Sequence, residues 1–277
     1  MAERQLRRLR GVGVAAGLVA VVCAGGSGCS GNVDAAEDGR PAVEALHLAA
    51  DQLVQAGSSK ARTSMEMATG GTRVTIRGEG VYDYRRQLGQ LKVSLPQDPA
   101  GTSDHRPITE LLAPGALFMK NRGAGVPADK WVRVETASLA DGNLVTGGAT
   151  DPFAAAELLR GARTATYVGE SEVAGTAVRH YRGTADLALA AKDAGAGNRA
   201  ALGAAAKGFA TATVPFDVYL DDEGRIRKVR HRFSFVSGQQ EGTVAVASTT
   251  LLYDFGVAVD VRLPDDGDIY AGKIAEE

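Results

Sequence analysis

The sequence predicts an α+β protein in which a curved antiparallel β-sheet, a half-barrel, carries helices packed on its concave face. In several consecutive segments apolar residues alternate with polar ones, which is typical of antiparallel strands with one wet and one dry face. Such strands exclude a doubly wound parallel sheet, whose strands are buried on both faces. Glycine numbers 35 and aromatic residues make up only 5% of the chain, which favours an open sheet over a tight helical bundle.

The first predicted element of the body is an amphipathic helix over residues 42–56. Its apolar residues recur at helical spacing, and Gly57 follows in the position of a C-terminal cap. After Gly57 the apolar period changes to two, which predicts consecutive strands separated by turns that contain glycine. The alternating apolar residues of these strands are Met65, Met67, Val74, Ile76, Tyr82, Tyr84, Leu91, Val93 and Leu95.

The middle of the chain predicts shorter elements between loops. Residues 96–115 are rich in proline and glycine and predict a loop that contains one helical turn at residues 108–112. Two strands are expected at residues 117–120 and 130–134. A helix is expected over residues 151–161, because this segment begins with an acidic N-cap and a proline and ends in glycine.

The second half of the chain predicts two hairpins around an alanine-rich helix. Residues 164–184 predict the first hairpin, and residues 185–210 predict one helix that is broken by glycines. Residues 216–235 predict the second hairpin, whose turn consists of acidic residues and glycine. A last strand is expected over residues 243–255, and residues 257–263 lead out to an acidic tail.

The first 28 residues predict a secretory signal peptide. Residues 1–10 are basic, residues 11–24 form a short apolar run, and small residues follow up to Cys29. The apolar run is too short to cross about 30 Å of hydrocarbon as a helix, which takes about 20 residues. We therefore expect residues 1–28 to be removed rather than kept as a membrane helix.

Cys29 indicates a lipoprotein signal, because small residues that run directly into cysteine are typical of bacterial lipoprotein signal peptides. The cysteine would then be diacylated and become the mature N-terminus, and Cys23 would be removed, so that no disulfide could form. Residues 29–41 predict a flexible tether, and residues 42–277 predict a single domain. The alternative is an ordinary secreted protein with a stray thiol, since Gly26 stands where such signals usually have leucine.

Composition and motifs argue against several classes of function. The net charge of −2 does not indicate a nucleic-acid partner. No catalytic signature and no cofactor-binding motif occurs in the sequence, so we expect no enzymatic activity and no cofactor. The histidines lack metal-ligand spacing, so no metal site is expected: they are His47, His105, His180 and His231. The basic residues Lys228, Arg230 and Arg232 favour a solvated edge or outer face, and contact with phospholipid headgroups is the alternative.

Several short segments, in matching order, carry a family resemblance. They are AVEALHLAADQLVQAGSSKART, KWVRV, DPFAAAELLRGA, GESEVAGTAVRHYRGTADL and VPFDVYLDDEGRIRKVRHRFSF. Together they span about residues 42–263 and, with Cys29, resemble actinobacterial lipoproteins of the LppX, LprA, LprF and LprG type. That type shares a half-barrel related to the LolA and LolB lipoprotein carriers. The resemblance implies an apolar cavity between sheet and helices that takes acyl chains of a lipid or lipoglycan, on the outer face of the cytoplasmic membrane.

Eleven apolar residues at inward positions are the candidates for lining this cavity: Leu46, Leu53, Met65, Met67, Val74, Ile76, Leu91, Val93, Phe216, Val218 and Phe233. Methionine suits an acyl site because its unbranched side chain adapts to irregular apolar surfaces. The alternative interpretation is that these residues simply pack a closed core. The protein would then be a structural or regulatory surface lipoprotein that acts through a protein partner. A hydrolase is a third possibility, and it ranks below both.

Overall fold

A computed structural model of the chain describes residues 39–69, 72–96, 106–123, 125–236 and 243–272. Within these residues eleven strands form one sheet in which every pairing is antiparallel. The strands are β1 (Ser58–Thr69), β2 (Thr72–Asp83), β3 (Leu88–Ser94), β4 (Ile108–Ala113), β5 (Ala116–Lys120), β6 (Val132–Glu135), β7 (Ala162–Val173), β8 (Thr176–Asp186), β9 (Thr213–Leu220), β10 (Ile226–Val236) and β11 (Thr243–Tyr253).

The sheet consists of two meanders that are joined at their first and last strands. Strands β1 to β6 each pair with the next strand in the chain, and strands β7 to β11 do the same. Pairing between β1 and β11 joins the two meanders, so the order across the sheet is β6-β5-β4-β3-β2-β1-β11-β10-β9-β8-β7. The sheet is open, and β6 and β7 are its two edges. The central pair therefore brings together the beginning and the end of the described chain.

Among the described residues four α-helices accompany the sheet: α1 (Gly39–Ala56), α2 (Pro152–Leu158), α3 (Leu187–Asp193) and α4 (Ala196–Gly208). Helix α1 begins three residues inside the stretch predicted as a tether and ends at Ala56, directly before Gly57, whose φ of +85° suits glycine. Asp151 caps α2 by accepting hydrogen bonds from the backbone N–H groups of Phe153 and Ala154. None of the helices among the described residues is long and apolar enough to cross a bilayer.

The helices and one loop cover the same face of the sheet, which we call the inner face. Helix α1 contacts β7 and β1, α2 contacts β10, and α3 contacts β8. The loop of residues 139–150, between β6 and α2, covers the other half, where Gly148 packs against Ile76 and Val93. A single hydrophobic core lies between these layers. The predicted α+β half-barrel, with helices against one face of an antiparallel sheet, is confirmed.

Residues 34–277 form one compact unit that holds all of the described helices and strands. The core also lies within this unit, from Ala42 to Leu252. We therefore expect these residues to fold without the segment that precedes them.

Residues 108–112 belong to strand β4, so the helical turn predicted there is wrong. The apolar residues Ile108, Leu111 and Leu112 have helical spacing, but the segment pairs with β3 on one side and β5 on the other. Ile108 and Leu112 pack in the main core, whereas Leu111 packs with Phe118 and Val261 on the opposite face. A strand that is covered on both faces loses the alternation by which strands are detected in a sequence.

The C-terminal segment, residues 257–270, packs on the sheet rather than leading away from it. Its Val261 lies in a second apolar cluster with Leu111 and Phe118, on the face that the helices leave open. The backbone N–H of Trp131 donates to the carbonyl of Asp268 at 2.9 Å. Residues 257–263, which were predicted to lead away from the domain, therefore cover the outer face of β4 and β5, and the acidic residues that follow lie beside β6.

Candidate functional site

All eleven residues predicted to line a cavity lie in the layer between sheet and helices, and the structure brings them into one core. Nine of them are buried: Leu46, Leu53, Met65, Ile76, Leu91, Val93, Phe216, Val218 and Phe233. Met67 and Val74 are only half-buried, although both pack against the core. The candidates thus divide into a closed interior and a partly open end.

The open end is formed by five half-buried apolar side chains, which we call the apolar rim: Met67, Val74, Leu95, Phe235 and Val244. Met67 lies opposite Val74 in the β1–β2 pair, and Phe235 lies opposite Val244 in the β10–β11 pair. Leu95 directly follows β3. The rim therefore runs along the inner face at one end of five adjacent strands, β3, β2, β1, β11 and β10. All five side chains are uncharged.

Aromatic rings connect the rim with the buried core. Phe235 packs against Phe209 with ring centroids 4.5 Å apart, and Phe209 stacks on Phe233 at 5.0 Å. Phe209 and Phe233 are both buried. An apolar ligand at the rim would thus meet a continuous apolar surface that extends inward from Phe235. Sequence reasoning chose Phe233 as a candidate for lining the cavity. It placed Leu95 and Phe235 on the apolar faces of their strands without choosing them, and it missed Phe209 and Val244.

Polar groups interrupt the core in the middle of the inner face. The hydroxyls of Thr150 and Ser248 share a hydrogen bond and join the covering loop to β11. His231 lies opposite Ser248 in the β10–β11 pair, and its Nε2 has no hydrogen-bond partner within the described part of the chain. Burial lowers the pKa of His231 to about 3, so the imidazole is neutral near pH 7. This region is polar but uncharged.

Glu110 is the least expected side chain on the inner face. It lies on β4 opposite Leu91 and Met119, it is fully buried, and neither carboxyl oxygen has a hydrogen-bond partner among the described residues. Burial raises its pKa to about 8, an effect that Arg122 opposes. The carboxyl is therefore largely protonated near pH 7. The one signal in the sequence is an acid inside the apolar run ITELLA.

Two other histidine rings of the described ranges, those of His47 and His180, each have one hydrogen-bond partner. His47 Nε2 lies 3.0 Å from the carbonyl oxygen of Ala162, and His180 Nε2 lies 2.9 Å from Asp217 Oδ1. In the ranges that the structure covers, no three histidine, cysteine or acidic side chains are arranged to hold a metal ion. His105 lies outside the described residues, as do residues 1–28, Cys29 and most of the predicted tether.

Comparison with known proteins finds similar solved structures, while no family model and no curated protein matches the sequence. Lipoprotein LppX from Mycobacterium tuberculosis is 12% identical, with a TM-score of 0.46 over 79% of this chain and 99% of its own. LprF from Mycobacterium bovis is 13% identical, with a TM-score of 0.39 over 81% and 97%. A lipoprotein-sorting protein domain from Vibrio parahaemolyticus is 10% identical, with a TM-score of 0.32 over 81% and 95%.

LppX and LprF carry names of the lipoprotein type described in the sequence analysis. All three TM-scores lie below 0.5. The function proposed below therefore stands on the residues of this chain.

Proposed function

We propose that this protein is a non-enzymatic, membrane-anchored extracytoplasmic lipoprotein that binds or carries acyl chains of a lipid or lipoglycan against its inner face. The observation that carries the proposal is the apolar rim, where five half-buried apolar side chains lie side by side at one end of the sheet. Apolar residues that stay half-exposed next to a core are a surface on which another apolar group can be buried.

Acyl-chain binding at the rim needs no polar partner. Each methylene group that leaves water contributes roughly 0.8 kcal/mol, so several methylenes packed along the rim give substantial affinity. Met67 can change its rotamer to follow an irregular chain, because its side chain is unbranched. Met65 lies two residues before Met67 on β1, on the same face, and it is fully buried. The apolar surface therefore continues from the rim into the core. A headgroup would remain at the mouth, in water.

The proposal includes attachment to the membrane through Cys29. Removal of residues 1–28 would expose this cysteine for diacylation, and residues 30–38 would separate it from α1, which begins at Gly39. The domain would then stand within reach of the outer face of the cytoplasmic membrane, where its lipid ligand is found. A mature mass that carries diacylglycerol on Cys29 tests this part of the proposal.

A second function is supported by the packing of the interior. Nine of the eleven candidate residues are fully buried and pack on one another, as expected of a closed core. A structural or regulatory lipoprotein with such a core would act through a protein partner rather than through a lipid. The two functions differ in whether the rim takes up acyl chains.

Native mass spectrometry of residues 34–277, produced in a lipid-containing host, tests acyl-chain binding. We expect bound masses that disappear on denaturation, and a loss of about tenfold or more in lipid occupancy for Phe235→Asp, since a carboxylate at the rim would have to lose its water. Val244→Asp provides a second test on the neighbouring strand. Leu263→Asp is the matched control, because Leu263 is also apolar and 41% exposed but lies on the C-terminal segment.

Two results would contradict the lipid proposal. The first is a bare chain under gentle conditions that stays bare after incubation with membrane extract, which would favour the protein-partner function. The second is equal lipid occupancy in Phe235→Asp and Leu263→Asp, provided that both variants unfold cooperatively at the wild-type urea concentration.

A further inference from the structure

The face of the sheet opposite the helices carries an excess of basic side chains. Eight of them lie on β1, β2, β3, β8 and β10, and we call this set the basic face: Arg62, Arg73, Arg77, Lys92, Arg182, Lys228, Arg230 and Arg232. Three acidic side chains lie among them: Glu66, Glu79 and Asp217. Lys60 and Asp83 lie on the same face at the other end of β1 and β2, and their charges cancel. The basic face thus has a net charge of +5, although the whole chain has a net charge of −2.

Strand register shows how widely these charges are spread. One row of paired residues crosses seven strands: Arg182, Asp217, Arg230, Thr249, Ser64, Arg77 and Ser94. With neighbouring strands about 4.8 Å apart, this row is about 29 Å long. A single small anion would contact only a fraction of this length. The distribution fits an extended anionic surface.

A hollow of about 460 Å³ lies within the basic face. Small side chains, Ser64, Ser94 and Thr249, line it, and the longer side chains of Arg77 and Lys92 border it. Neither Arg77 nor Lys92 forms an ion pair with another residue of the described ranges, and both are exposed. Hydroxyl groups between unpaired cations are suited to a phosphate group.

Glu79, the acid at the hollow, is already engaged by other side chains. Its Oε1 accepts hydrogen bonds from Arg62 Nη2 at 3.1 Å and from the hydroxyl of Tyr253 at 3.2 Å. The hydrogen bond from Arg62 makes the largest contribution to lowering the pKa of Glu79. This carboxylate therefore holds Arg62 at the side of the hollow and leaves Arg77 and Lys92 facing it.

Asp217 holds two further guanidinium groups in place. It is buried and accepts hydrogen bonds from Arg182 Nε at 2.8 Å, Arg232 Nη2 at 2.9 Å and His180 Nε2 at 2.9 Å. Burial opposes its ionisation, but these hydrogen bonds outweigh that effect and keep the pKa of Asp217 below its usual range. The side chains of Arg182 and Arg232 remain 63% and 45% exposed. One carboxylate thus orients two cations toward solvent.

The C-terminal segment and the apolar rim define where the basic face lies. The C-terminal segment covers the outer face of β4 and β5, and its apolar cluster reaches Leu88 and Val81 at one end of β3 and β2. Lys92 and Arg77 of the basic face lie on these two strands outside that cluster. At the rim, Arg73 directly precedes Val74, and Arg232 is three residues before Phe235. Any partner surface that contacts the basic face would therefore lie close to the apolar rim.

We propose that the basic face is a docking surface for a membrane that contains anionic phospholipid, with the hollow beside Arg77 and Lys92 taking the phosphate of a lipid headgroup. Each basic residue close to an anionic bilayer adds to the attraction, and eight dispersed residues act together. This inference rests on the proposed membrane location for its setting, and it does not depend on acyl-chain binding at the rim.

Vesicle flotation with residues 34–277, which lack the anchor, tests the docking surface. We expect binding to vesicles of equal parts phosphatidylglycerol and phosphatidylcholine, little binding to phosphatidylcholine alone, and a steep loss as salt rises. The double variant Arg77→Glu, Lys92→Glu should bind about tenfold more weakly or worse. The matched control is Lys192→Glu, Lys207→Glu, which reverses the same number of charges on α3 and α4, on the other side of the sheet.

Three results would overturn the docking proposal. They are equal binding to anionic and neutral vesicles, equal losses in the outer-face and helix variants, and vesicle binding that polyglutamate or millimolar inorganic phosphate abolishes at constant ionic strength. The last would assign the basic face to an acidic polypeptide or a free anion. Phe235→Asp separates this proposal from acyl-chain binding, because it should lose lipid occupancy and still float with anionic vesicles.

Discussion

The two faces of the sheet are built from alternate residues of the same strands and have opposite properties. On β10, Val229, His231 and Phe233 are buried under the helices, while Arg230 and Arg232 lie on the outer face. The inner face excludes charge so strongly that His231 is neutral and Glu110 is largely protonated near pH 7. On the outer face the charged side chains stay exposed to water. Packing on the inner face thus supplies most of the free energy of folding, and the charges of the outer face attract anionic groups.

The largest difference in unfolding free energy is expected between substitutions at two neighbouring residues of β10 whose side chains lie on opposite faces of the sheet. Phe233→Ala should lower the free energy of unfolding by about 3–5 kcal/mol, because it leaves a cavity beside Phe209. Arg232→Ala should cost about 1 kcal/mol or less, since Asp217 keeps Arg182 and His180. Urea unfolding of both variants measures the difference. Equal losses would mean that the two faces do not differ in their contribution to stability.

A smaller effect, on the pH dependence of the unfolding free energy, is expected from Glu110, the buried acid of the inner face. The pKa of Glu110 is about 8 in the folded protein and about 4.5 in the unfolded chain, so the folded state holds the extra proton between these values. Stability from this proton is present below about pH 4.5 and is lost as the pH rises to about 8. Glu110→Gln should remove this loss, amounting to about 3 kcal/mol between about pH 5 and pH 8.

Glu79→Gln is the control for this pH dependence. Glu79 lies on the outer face, and the hydrogen bond and charge of Arg62 lower its pKa, so it stays ionised throughout the same pH range. The difference in unfolding free energy between Glu79→Gln and wild type should therefore not change with pH. His231 also titrates differently in the folded and unfolded states, so the test is the difference in unfolding free energy between Glu110→Gln and wild type. If urea unfolding finds this difference constant from about pH 5 to pH 8, Glu110 does not titrate in this way.

The smallest effect is expected at the floor of the outer hollow. Ser64 lies on β1 between Thr249 and Arg77, and its side chain faces solvent. Ser64→Ala should change the unfolding free energy by no more than about 0.5 kcal/mol, as exposed substitutions usually do. Thermal or urea unfolding measures it. A larger loss would show that the outer face also carries packing that holds the sheet together.

Period and capping signals predicted most of the elements correctly. The helix at residues 42–56, the helix after Asp151, both predicted hairpins of the second half and the strands at Met65, Ile76 and Val93 all occur in the structure. These signals are local, because each depends on residues within about one or two turns of chain. The eleven candidate residues were placed on the correct face for the same reason.

The errors share a physical cause: the residues concerned are buried by segments that lie far away in the sequence. Strand β4 appeared helical because the C-terminal segment buries Leu111 from one side while the core buries Leu112 from the other. The rim residue Phe235 was not chosen as a candidate because its packing on Phe209 spans strand β9, beyond the reach of a periodic pattern. Leu111 and Val261 share a cluster although they lie more than 100 positions apart, and no short pattern records such a contact.

The sequence by itself determined the α+β class and the alternation that separates the two faces, and it carries the order of basic, apolar and small residues in residues 1–28. These properties follow from hydrophobic periodicity and composition, which act along the chain. Only the tertiary structure decided that β1 pairs with β11, which places Arg77 of one meander and Arg230 of the other in one row. It also decided which apolar side chains stay half-exposed at the rim. Both depend on strand order and register, because these bring distant residues together.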